Sequence, residues 1–383
     1  MTRIATALLP LAVAILAVWA WRSLLQPPAP LVCGKPGGPP VVSPRVRLAD
    51  GRHLAYRESG VPRTEARHRV VVLHGLGGSK DYSLNPSPVS TLAHTPPPDI
   101  NPTAAILNSG SFCVCLQGLV EELGIYFVSF DRAGYGESDP NPGRTVKSEA
   151  MDVQELADQL GLGDRFYVVG VSMGGYPAWS CIKHIPHRLA GVALIVPAIN
   201  FWWPSLPRNL SAAAYGRHHP ADQRGFLVAR HAPWLFYAYM TQKLVMPSAI
   251  GAGHSDILSR QDKEIMAKIL ANRSIDTSKP TQQGVHESIH RDVMVVFGDW
   301  GFDLMDLANP FPRNEGSVRI WQGGEDRMVD AEVQRYVAGR LPWVRYHECS
   351  DCGHLFLFME EWSNAILRGL VLGEEPTMPS AGA

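Results

Sequence analysis

The stretch Phe166-Tyr-Val-Val-Gly-Val-Ser-Met-Gly-Gly175 decides the fold of this 383-residue chain. Its first six residues form a short apolar run rich in valine, which is typical of a buried strand. The run passes into the pattern G-x-S-x-G at Gly170 to Gly174, and apolar residues at helical spacing follow as far as Ile185. A serine between a strand and a helix in this pattern indicates a sharp bend that presents its hydroxyl above the sheet. Ser172 is therefore a candidate nucleophile.

Similar short apolar runs, separated by segments of helical length, lie on both sides of this stretch. Each ends in glycine or polar residues, so the alternation predicts an α/β fold with a doubly wound, mostly parallel sheet and helices on both faces. Two helices are expected between the runs, and a last one closes the domain. The expected strands are Arg45–Leu48 and Arg52–Glu58, which form a hairpin about Asp50-Gly51, then Val70–Leu73, Ile125–Phe130, Gly191–Val196, Val318–Trp321 and Val344–Glu348; the helices are Val146–Leu162, Gly174–Ile185 and Leu355–Leu370.

Composition divides the chain into six parts. The middle block is rich in Trp, Tyr and His and interrupts the strand pattern, so it predicts an inserted helical cap with helices at Gln223–Leu244 and Asp256–Asn272. The predicted parts are an N-terminal signal anchor or signal peptide (1–25), a Pro/Gly-rich linker (26–44), the first part of the core (45–199), the cap (200–312), the second part of the core (313–372) and a disordered tail (373–383).

The N-terminal part carries no charge from Ile4 to Trp21. As a helix rising 1.5 Å per residue it would span about 27 Å, just enough for the hydrocarbon core of a bilayer. We favour a single-pass membrane protein of the endomembrane or secretory pathway. A signal peptide removed after Ala20, which would leave a secreted protein, and a buried soluble helix are the alternatives.

Residues Val89–Gln117 form an atypical insertion within the first part of the core. They are Pro-rich, then low in charge, and they split a short strand–helix–strand passage. The end Phe112-Cys-Val-Cys-Leu-Gln117 can be encoded by a pyrimidine-rich tract ending in CAG, and every valine codon begins with GT. A retained intron is therefore the favoured hypothesis, and a genuine surface insertion is the alternative. Transcripts that join Pro88 to Gly118 would decide between them.

Charge and cysteine content exclude several classes of function. The formal net charge is −1 and no long basic run occurs, so a nucleic-acid partner is not expected. The six cysteines are too few for a disulfide scaffold. Cys349 and Cys352 form a lone C-x-x-C without a second pair of ligands, so no metal site is predicted. Free thiols are favoured there over a local disulfide.

A serine hydroxyl is a poor nucleophile unless a base activates it and an acid orients that base. For a serine at such a bend, the expected order along the chain is serine, acid, histidine. His354, in Asp351-Cys-Gly-His354 after the last strand, is the predicted base. Asp326, which follows the strand at Val318, is the predicted acid, with Glu325 and Asp351 as competitors. No cofactor is required.

Two backbone amides, those of Leu76 and Met173, are predicted to form the oxyanion hole. Leu76 follows His74-Gly75 at the end of an expected strand, and Met173 follows the candidate nucleophile. Glycine at positions 75, 170 and 174 lets backbone segments approach closely. His74 is expected to be structural or to line the pocket.

These residues resemble the α/β-hydrolase superfamily with a strand-inserted cap. Phe130-Asp-Arg-Ala-Gly-Tyr-Gly-Glu-Ser138, with His74-Gly75 and Gly170–Gly175, is similar to the epoxide-hydrolase-like group and, more closely, to membrane-anchored plant α/β-hydrolases. The resemblance covers Arg45 to Gly369 except Val89–Gln117. Epoxide hydrolases and haloalkane dehalogenases carry aspartate where this chain has Ser172. The resemblance therefore implies hydrolysis of esters, thioesters or related acyl compounds.

The sequence thus predicts a serine hydrolase that forms an acyl-enzyme on Ser172 with a small, apolar acyl substrate. The alternatives are a hydroxynitrile-lyase-like or C–C-bond hydrolase, a ligand receptor on a hydrolase scaffold, and an inactive membrane-tethered scaffold if the insertion is genuine. Several aromatic residues of the cap could line an acyl pocket, although packing between cap helices is the favoured role for most of them: Trp202, Trp203, Trp234, Phe236, Tyr237 and Tyr239.

Overall fold

A computed structural model describes residues 12–16, 18–19, 21–81, 118–241, 257–271 and 278–376 of the chain. Within them, eight strands form one sheet in the order β1-β2-β4-β3-β5-β6-β7-β8. The strands are Arg45–Arg47 (β1), His53–Gly60 (β2), His68–Leu73 (β3), Ile125–Phe130 (β4), Phe166–Val171 (β5), Leu189–Ile195 (β6), Val318–Gly323 (β7) and Val344–Cys349 (β8). Each predicted strand is present.

The sheet is antiparallel at one edge and parallel elsewhere. Strand β2 pairs antiparallel with β1 and β4, and every pairing from β4 to β8 is parallel. The predicted α/β fold class, a doubly wound and mostly parallel sheet, is confirmed. Because parallel strands end at the same edge, the loops after β3, β5, β7 and β8 meet there.

Helices cover both faces of the sheet. On β3, Val71 and Leu73 belong to one apolar core, and Val70 and Val72 belong to the other, because successive side chains of a strand point to opposite faces. The helices are Val146–Gln159 (α1), Gly175–His184 (α2), Arg208–Gly216 (α3), Pro220–His231 (α4), Pro233–Thr241 (α5), Arg260–Ala271 (α6), Arg291–Phe297 (α7), Ala331–Arg340 (α8) and Glu360–Leu372 (α9).

The block between β6 and β7 is helical and contains α3 to α7. The helix expected at Gln223–Leu244 is divided into α4 and α5 at Pro233, because proline lacks the N–H that would continue the hydrogen-bond ladder. The amide of Ala232 donates to the carbonyl of Val228 and ends α4. The end of this expected helix lies outside the described residues, and so do Asp256 and Asn272, the two ends of the second expected helix.

The Pro- and Gly-rich stretch 26–44 differs from its prediction as a linker. It has no regular secondary structure, as its composition implies, but it docks on the domain. The Cys33 amide donates to the side chain of Gln283 at 3.1 Å. The amides of Val42 and Ser43 and the Ser43 hydroxyl all donate to the carboxylate of Glu137, at 2.8 to 2.9 Å. The packed domain therefore begins before Arg45.

Several predicted segments fall partly or wholly outside the described residues. The insertion at Val89–Gln117 does so entirely, and the apolar segment Ile4–Trp21 does so in large part. In the part of the chain that the structure describes, no helix is both long and apolar enough to cross a bilayer. Of the expected tail, Glu375 makes ion pairs with Arg319 and Arg345, and residues 377–383 are not described.

Candidate active site

Ser172 sits at a sharp bend between β5 and α2. Its φ is +52°, which is a left-handed conformation that non-glycine residues rarely adopt. Such a conformation is typical of functional sites, where the surrounding structure holds it in place. The amide of Ala198 donates to the Ser172 carbonyl at 2.9 Å and fixes the bend against the end of β6. The Ser172 side chain remains half-buried rather than enclosed.

Glycine is required at both flanks of the bend. A Cβ at Gly174 would lie 2.1 Å from the carbonyl oxygen of Leu73, and one at Gly170 would lie 2.4 Å from the carbonyl oxygen of Gly174. Neither separation leaves room for a carbon atom. The close approach of β3, β5 and the start of α2 therefore depends on these two residues.

The hydroxyl, the imidazole and one carboxylate form a single chain of hydrogen bonds. His354 Nε2 lies 3.0 Å from Ser172 Oγ, and His354 Nδ1 lies 2.7 Å from Asp326 Oδ2. The three residues come from the loops after β5, β7 and β8. The structure thus brings the predicted nucleophile, acid and base together at the carboxyl edge of the sheet.

The Asp326 carboxylate is fixed by its own donors. Its side chain is 1% exposed, and Oδ1 accepts from the amides of Met328 and Val329 at 2.8 and 2.9 Å. Oδ2 faces His354 and also accepts from the side-chain nitrogen Nε2 of Gln322 at 3.3 Å. With Oδ1 occupied by two amides, Oδ2 is the oxygen that orients the imidazole.

His354 is 5% exposed, and burial alone would lower its pKa. The carboxylates of Asp326 and Asp262 act in the opposite direction and raise the pKa of His354 above its ordinary value. A base with a raised pKa holds an abstracted proton more firmly. The surroundings of the imidazole therefore favour the charged form that proton transfer from Ser172 would create.

The loop after β3 borders the serine. A Cβ at Gly75 would lie 3.2 Å from Ser172 Cβ, so the loop backbone passes directly beside the nucleophile. Leu76 is half-buried against the larger core, and Met173 is buried in the single helical turn Ser172–Gly174. Both predicted oxyanion residues thus belong to the two segments that flank Ser172.

A family model described as the alpha/beta hydrolase fold matches residues 68–361, which is more than half of the chain. The chain belongs to the alpha/beta hydrolase fold family. The match includes all three residues of the hydrogen-bonded chain.

Known proteins with sequence or structural similarity include several esterases. The chain is 26% identical over 215 residues to a pimeloyl-[acyl-carrier protein] methyl ester esterase of Aromatoleum aromaticum, covering 55% of this chain and 76% of that protein. An esterase from Exiguobacterium antarcticum superposes with a TM-score of 0.52 at 16% identity, over 85% of this chain and 97% of its own. The enol-lactonase from Burkholderia xenovorans LB400 superposes with a TM-score of 0.52 at 16% identity, over 86% of this chain and 100% of its own. At such identities the structural matches show the fold alone.

His74 of this alpha/beta hydrolase is buried and bonded at both ring nitrogens. Its Nε2 accepts from the amide of Arg132 at 3.1 Å, so Nδ1 carries the proton and donates to the Gly75 carbonyl at 2.8 Å. Burial, with Arg132 nearby, lowers the pKa of His74 to about 3. A neutral ring with both nitrogens occupied is a support for the loop before Leu76 rather than a second base.

A buried ionic cluster lies behind that loop. The carboxylate of Asp292, at the start of α7, accepts from the guanidinium groups of Arg132 and Arg144 at 2.6 Å and from the hydroxyls of Tyr135 and Tyr176 at 2.8 Å. Arg132 also donates to the His74 carbonyl at 3.2 Å. A residue of the inserted block therefore contacts the segment that supports the loop after β3.

Asp292 and a second buried carboxylate, Asp262 near the start of α6, were not predicted from the sequence. Both lie in the inserted block, where acidic residues at the start of a helix are expected to face solvent. The available signal was Ser259-x-x-Asp262, the spacing of a capping box, although it indicates a helix start and not contact with His354.

The structure also shows where the two competing acids lie and how the two cysteines are paired. Glu325 and Asp351 are both exposed, whereas the carboxylate that pairs with the imidazole is that of Asp326. Cys349 and Cys352 form a disulfide, so the favoured prediction of free thiols there was wrong. The turn after β8 brings their Cα atoms to 5.2 Å, within the range that a disulfide spans.

Among the described residues, no group of three or more His, Cys, Asp or Glu could hold a metal ion.

The aromatic residues of the cap divide between packing and surface. Phe236 and Trp203 are buried in the core, whereas Trp234 is 59% exposed. Trp202 and Trp203 line a cleft of about 590 Å³ between residues 200–205 and 298–306. None of Ser172, Asp326 or His354 lines this cleft. Of the predicted aromatic residues, Phe236 and Trp203 therefore have a packing role.

Proposed function

We propose that the chain is a serine hydrolase that cleaves an ester or related acyl bond through an acyl-enzyme on Ser172. The observation that carries the proposal is the hydrogen-bonded chain from Ser172 Oγ through His354 to Asp326, with separations of 3.0 and 2.7 Å. A serine, a histidine that accepts its proton and a buried carboxylate that orients the histidine are the parts that acyl transfer requires.

In the first half of the reaction His354 Nε2 takes the proton of Ser172 as Oγ attacks the acyl carbonyl carbon. The negative charge that develops on the carbonyl oxygen is held by the amides of Leu76 and Met173. Each such donor typically stabilises the transition state by roughly 3 kcal/mol. The protonated imidazole, stabilised by Asp326, then gives its proton to the leaving alcohol, and the acyl group remains on Oγ.

In the second half water replaces the alcohol. His354 takes a proton from the water as its oxygen attacks the acyl carbon, and the same two amides hold the oxyanion. Collapse of the intermediate breaks the bond to Ser172 Oγ, which recovers its proton from His354 and releases the carboxylic acid. No cofactor takes part in this sequence.

The proposed substrate is a small, apolar acyl compound. The curated relative is named as a methyl ester esterase and two of the structural matches are an esterase and an enol-lactonase, all of which act on acyl–oxygen bonds. The apolar segment Ile4–Trp21 is proposed to associate the enzyme with a membrane, where apolar acyl compounds concentrate.

A fluorophosphonate probe on the full chain tests the proposal, because it reacts with activated serines. Wild type is expected to be labelled and Ser172→Ala to lose the label. Ser59→Ala, which removes a hydroxyl from β2, is the matched control and should be labelled like wild type. Labelling that is absent in wild type, or that persists in Ser172→Ala, would overturn the assignment.

Turnover of short p-nitrophenyl esters tests the same chemistry. The rate should fall as the pH drops through the pKa of His354, since only the neutral imidazole accepts a proton. Labelling without any ester turnover would contradict the hydrolase and favour a receptor on this scaffold. Release of a cyanide or a C–C cleavage product, and no acid from acyl esters, would instead favour the lyase or C–C-bond hydrolase.

A further inference from the structure

The buried carboxylate of Asp262 belongs to the inserted block but contacts the loop that carries His354. Asp262 lies in the first turn of α6 and is 0% exposed. It forms a reciprocal pair with Ser259: the Ser259 amide donates to Asp262 Oδ2 at 3.1 Å, and the Asp262 amide donates to Ser259 Oγ at 3.1 Å. This capping box begins the helix, yet it leaves the carboxylate able to accept further hydrogen bonds.

The Asp262 carboxylate also accepts hydrogen bonds from two consecutive amides of the loop that carries His354, and a third amide of that loop donates to Gln261. The His354 amide donates to Asp262 Oδ2 at 3.0 Å, and the Leu355 amide donates to Oδ1 at 2.7 Å. The Gly353 amide donates to the neighbouring side chain of Gln261 at 3.1 Å. The first turn of α6 thus binds the backbone on both sides of His354.

The first turn of α6 and the loop before His354 are in close contact. A Cβ at Gly353 would lie 2.2 Å from both Asp262 Oδ2 and Ser259 Oγ. Only glycine lets the loop approach the helix this closely. The contact is therefore specific to these residues and is not a general packing of the insert on the core.

Helix capping alone does not account for this arrangement. A residue at this position needs one carboxylate oxygen to accept the Ser259 amide, whereas Asp262 accepts from three amides, two of which belong to another segment. Hydrogen bonds to a buried carboxylate are about twice as strong as neutral ones, and an amide left without its acceptor is costly. The backbone position of His354 therefore depends on Asp262.

Asp262 also acts on the imidazole through its charge. Among the described residues, the charged groups that act on His354 are Asp326, at Nδ1 from the loop after β7, and Asp262, from α6. Both favour the protonated ring, in opposition to burial. Ser172, on the other side of the ring, is neutral.

We propose that Asp262 is a positioning residue that places the general base His354 and stabilises its protonated form from the inserted helix. The inference rests on the proposed hydrolase function and extends it, because it makes a helix of the insert part of the catalytic machinery. Any displacement of α6 then moves His354 relative to Ser172, so the position of the insert and the rate of proton transfer are linked.

The test compares three variants on the same helix. Asp262→Asn keeps the shape but removes the charge and one acceptor. Glu264→Gln is the matched control, because Glu264 is an exposed acid of α6 that pairs with Arg260 on the surface. Ser259→Ala breaks the capping box and leaves the Asp262 carboxylate in place.

Two readouts separate positioning from a merely structural role. In Asp262→Asn, kcat should fall roughly 10- to 100-fold with little change in KM, since a misplaced base costs proton transfer rather than binding. The acid limb of kcat/KM should move to lower pH, because a carboxylate that raises the pKa of His354 has gone. Titration of the His354 Cε1–H signal by NMR, assigned with His354→Asn, should show the same direction without requiring turnover.

The outcomes distinguish this inference from the proposed function. An unlabelled wild type would refute the hydrolase, whereas a labelled wild type with an Asp262→Asn that keeps kcat, acid limb and His354 titration would refute the positioning role alone. If Ser259→Ala gives the same fall in kcat and the same displacement of the acid limb, Asp262 acts as a helix cap alone. If Asp262→Asn does not fold, Gly353→Ala tests the same contact with the carboxylate retained: a lowered kcat and acid limb support the inference, and wild-type values overturn it.

Discussion

Substitution of Gly174 by alanine tests how closely the bend at Ser172 is packed against the loop after β3. The new Cβ would lie 2.1 Å from the Leu73 carbonyl oxygen and 2.9 Å from that of His74. Carbon and oxygen in contact are normally about 3.3 Å apart, so the backbones must separate by about 1 Å. The obstructing atoms are main chain, and no side-chain rotation relieves the clash.

This displacement separates Ser172 from the loop that carries Leu76. A misplacement of about 1 Å typically costs ~100-fold in rate, and loss of one oxyanion donor costs about the same or more. We therefore expect Gly174→Ala to lower kcat/KM for p-nitrophenyl esters by at least about 100-fold, with a parallel loss in the rate of fluorophosphonate labelling. The folded protein should also unfold at a lower temperature.

Gly339→Ala is the matched control for this experiment. Gly339 is an exposed residue inside α8, and a Cβ there meets no atom within 4 Å. The same chemical change should leave kcat/KM unchanged and stabilise the helix by roughly 0.5–1 kcal/mol. If Gly174→Ala folds and retains wild-type kcat/KM, the close approach of bend and loop has no role in the reaction.

Two further predictions concern buried carboxylates. Asp326→Asn should lower kcat by about 10⁴-fold, because an amide in place of Oδ2 favours the wrong tautomer of His354. Turnover of p-nitrophenyl esters measures this, and a loss below about 10-fold would contradict the proposed role of Asp326. Asp292→Ala should lower the free energy of unfolding by about 3–5 kcal/mol, since buried Arg132 and Arg144 lose the carboxylate that they share and keep Glu149 alone of the two acids that pair with them both. Urea unfolding measures the change, and a value below about 1 kcal/mol would show that Glu149 suffices to compensate both arginines.

The parts of the fold that sequence predicted are those whose determinants are local. The central strands are short runs rich in apolar residues, and the bend at Ser172 is contained within five residues with glycine at both ends. The proximity of Ser172, Asp326 and His354 follows from topology, because each comes directly after a parallel strand and such strands end at one edge.

The contacts of the insert could not be predicted in this way. Asp262 and His354 are 92 residues apart, and the carboxylate binds main-chain amides, which carry no side-chain signature in the sequence. Asp292 binds two arginines that lie 148 and 160 residues away. In sequence both acids are typical of exposed helix starts, and only the docking of α6 and α7 on the core buries them.

The docking of stretch 26–44 was missed for a related reason. Its contacts use backbone amides, one hydroxyl and the buried Cys33 thiol, so they require no periodic apolar pattern. Proline and glycine indicate the absence of a helix or strand, but an irregular segment can still be held firmly by a carboxylate of the core.

The attachment of this stretch to Glu137 limits how the chain can be shortened. A truncated protein that starts at Arg45 would retain the Glu137 side chain in its closed setting but lose the amides of Val42 and Ser43 and the Ser43 hydroxyl. Burial raises the pKa of Glu137, and these donors, with Lys80, more than offset that effect and hold the pKa below its ordinary value. Expression trials should therefore compare start sites upstream of Cys33 with one at Arg45. Stretch 26–44 supplies hydrogen-bond donors to a carboxylate of the core, and a start at Arg45 removes them.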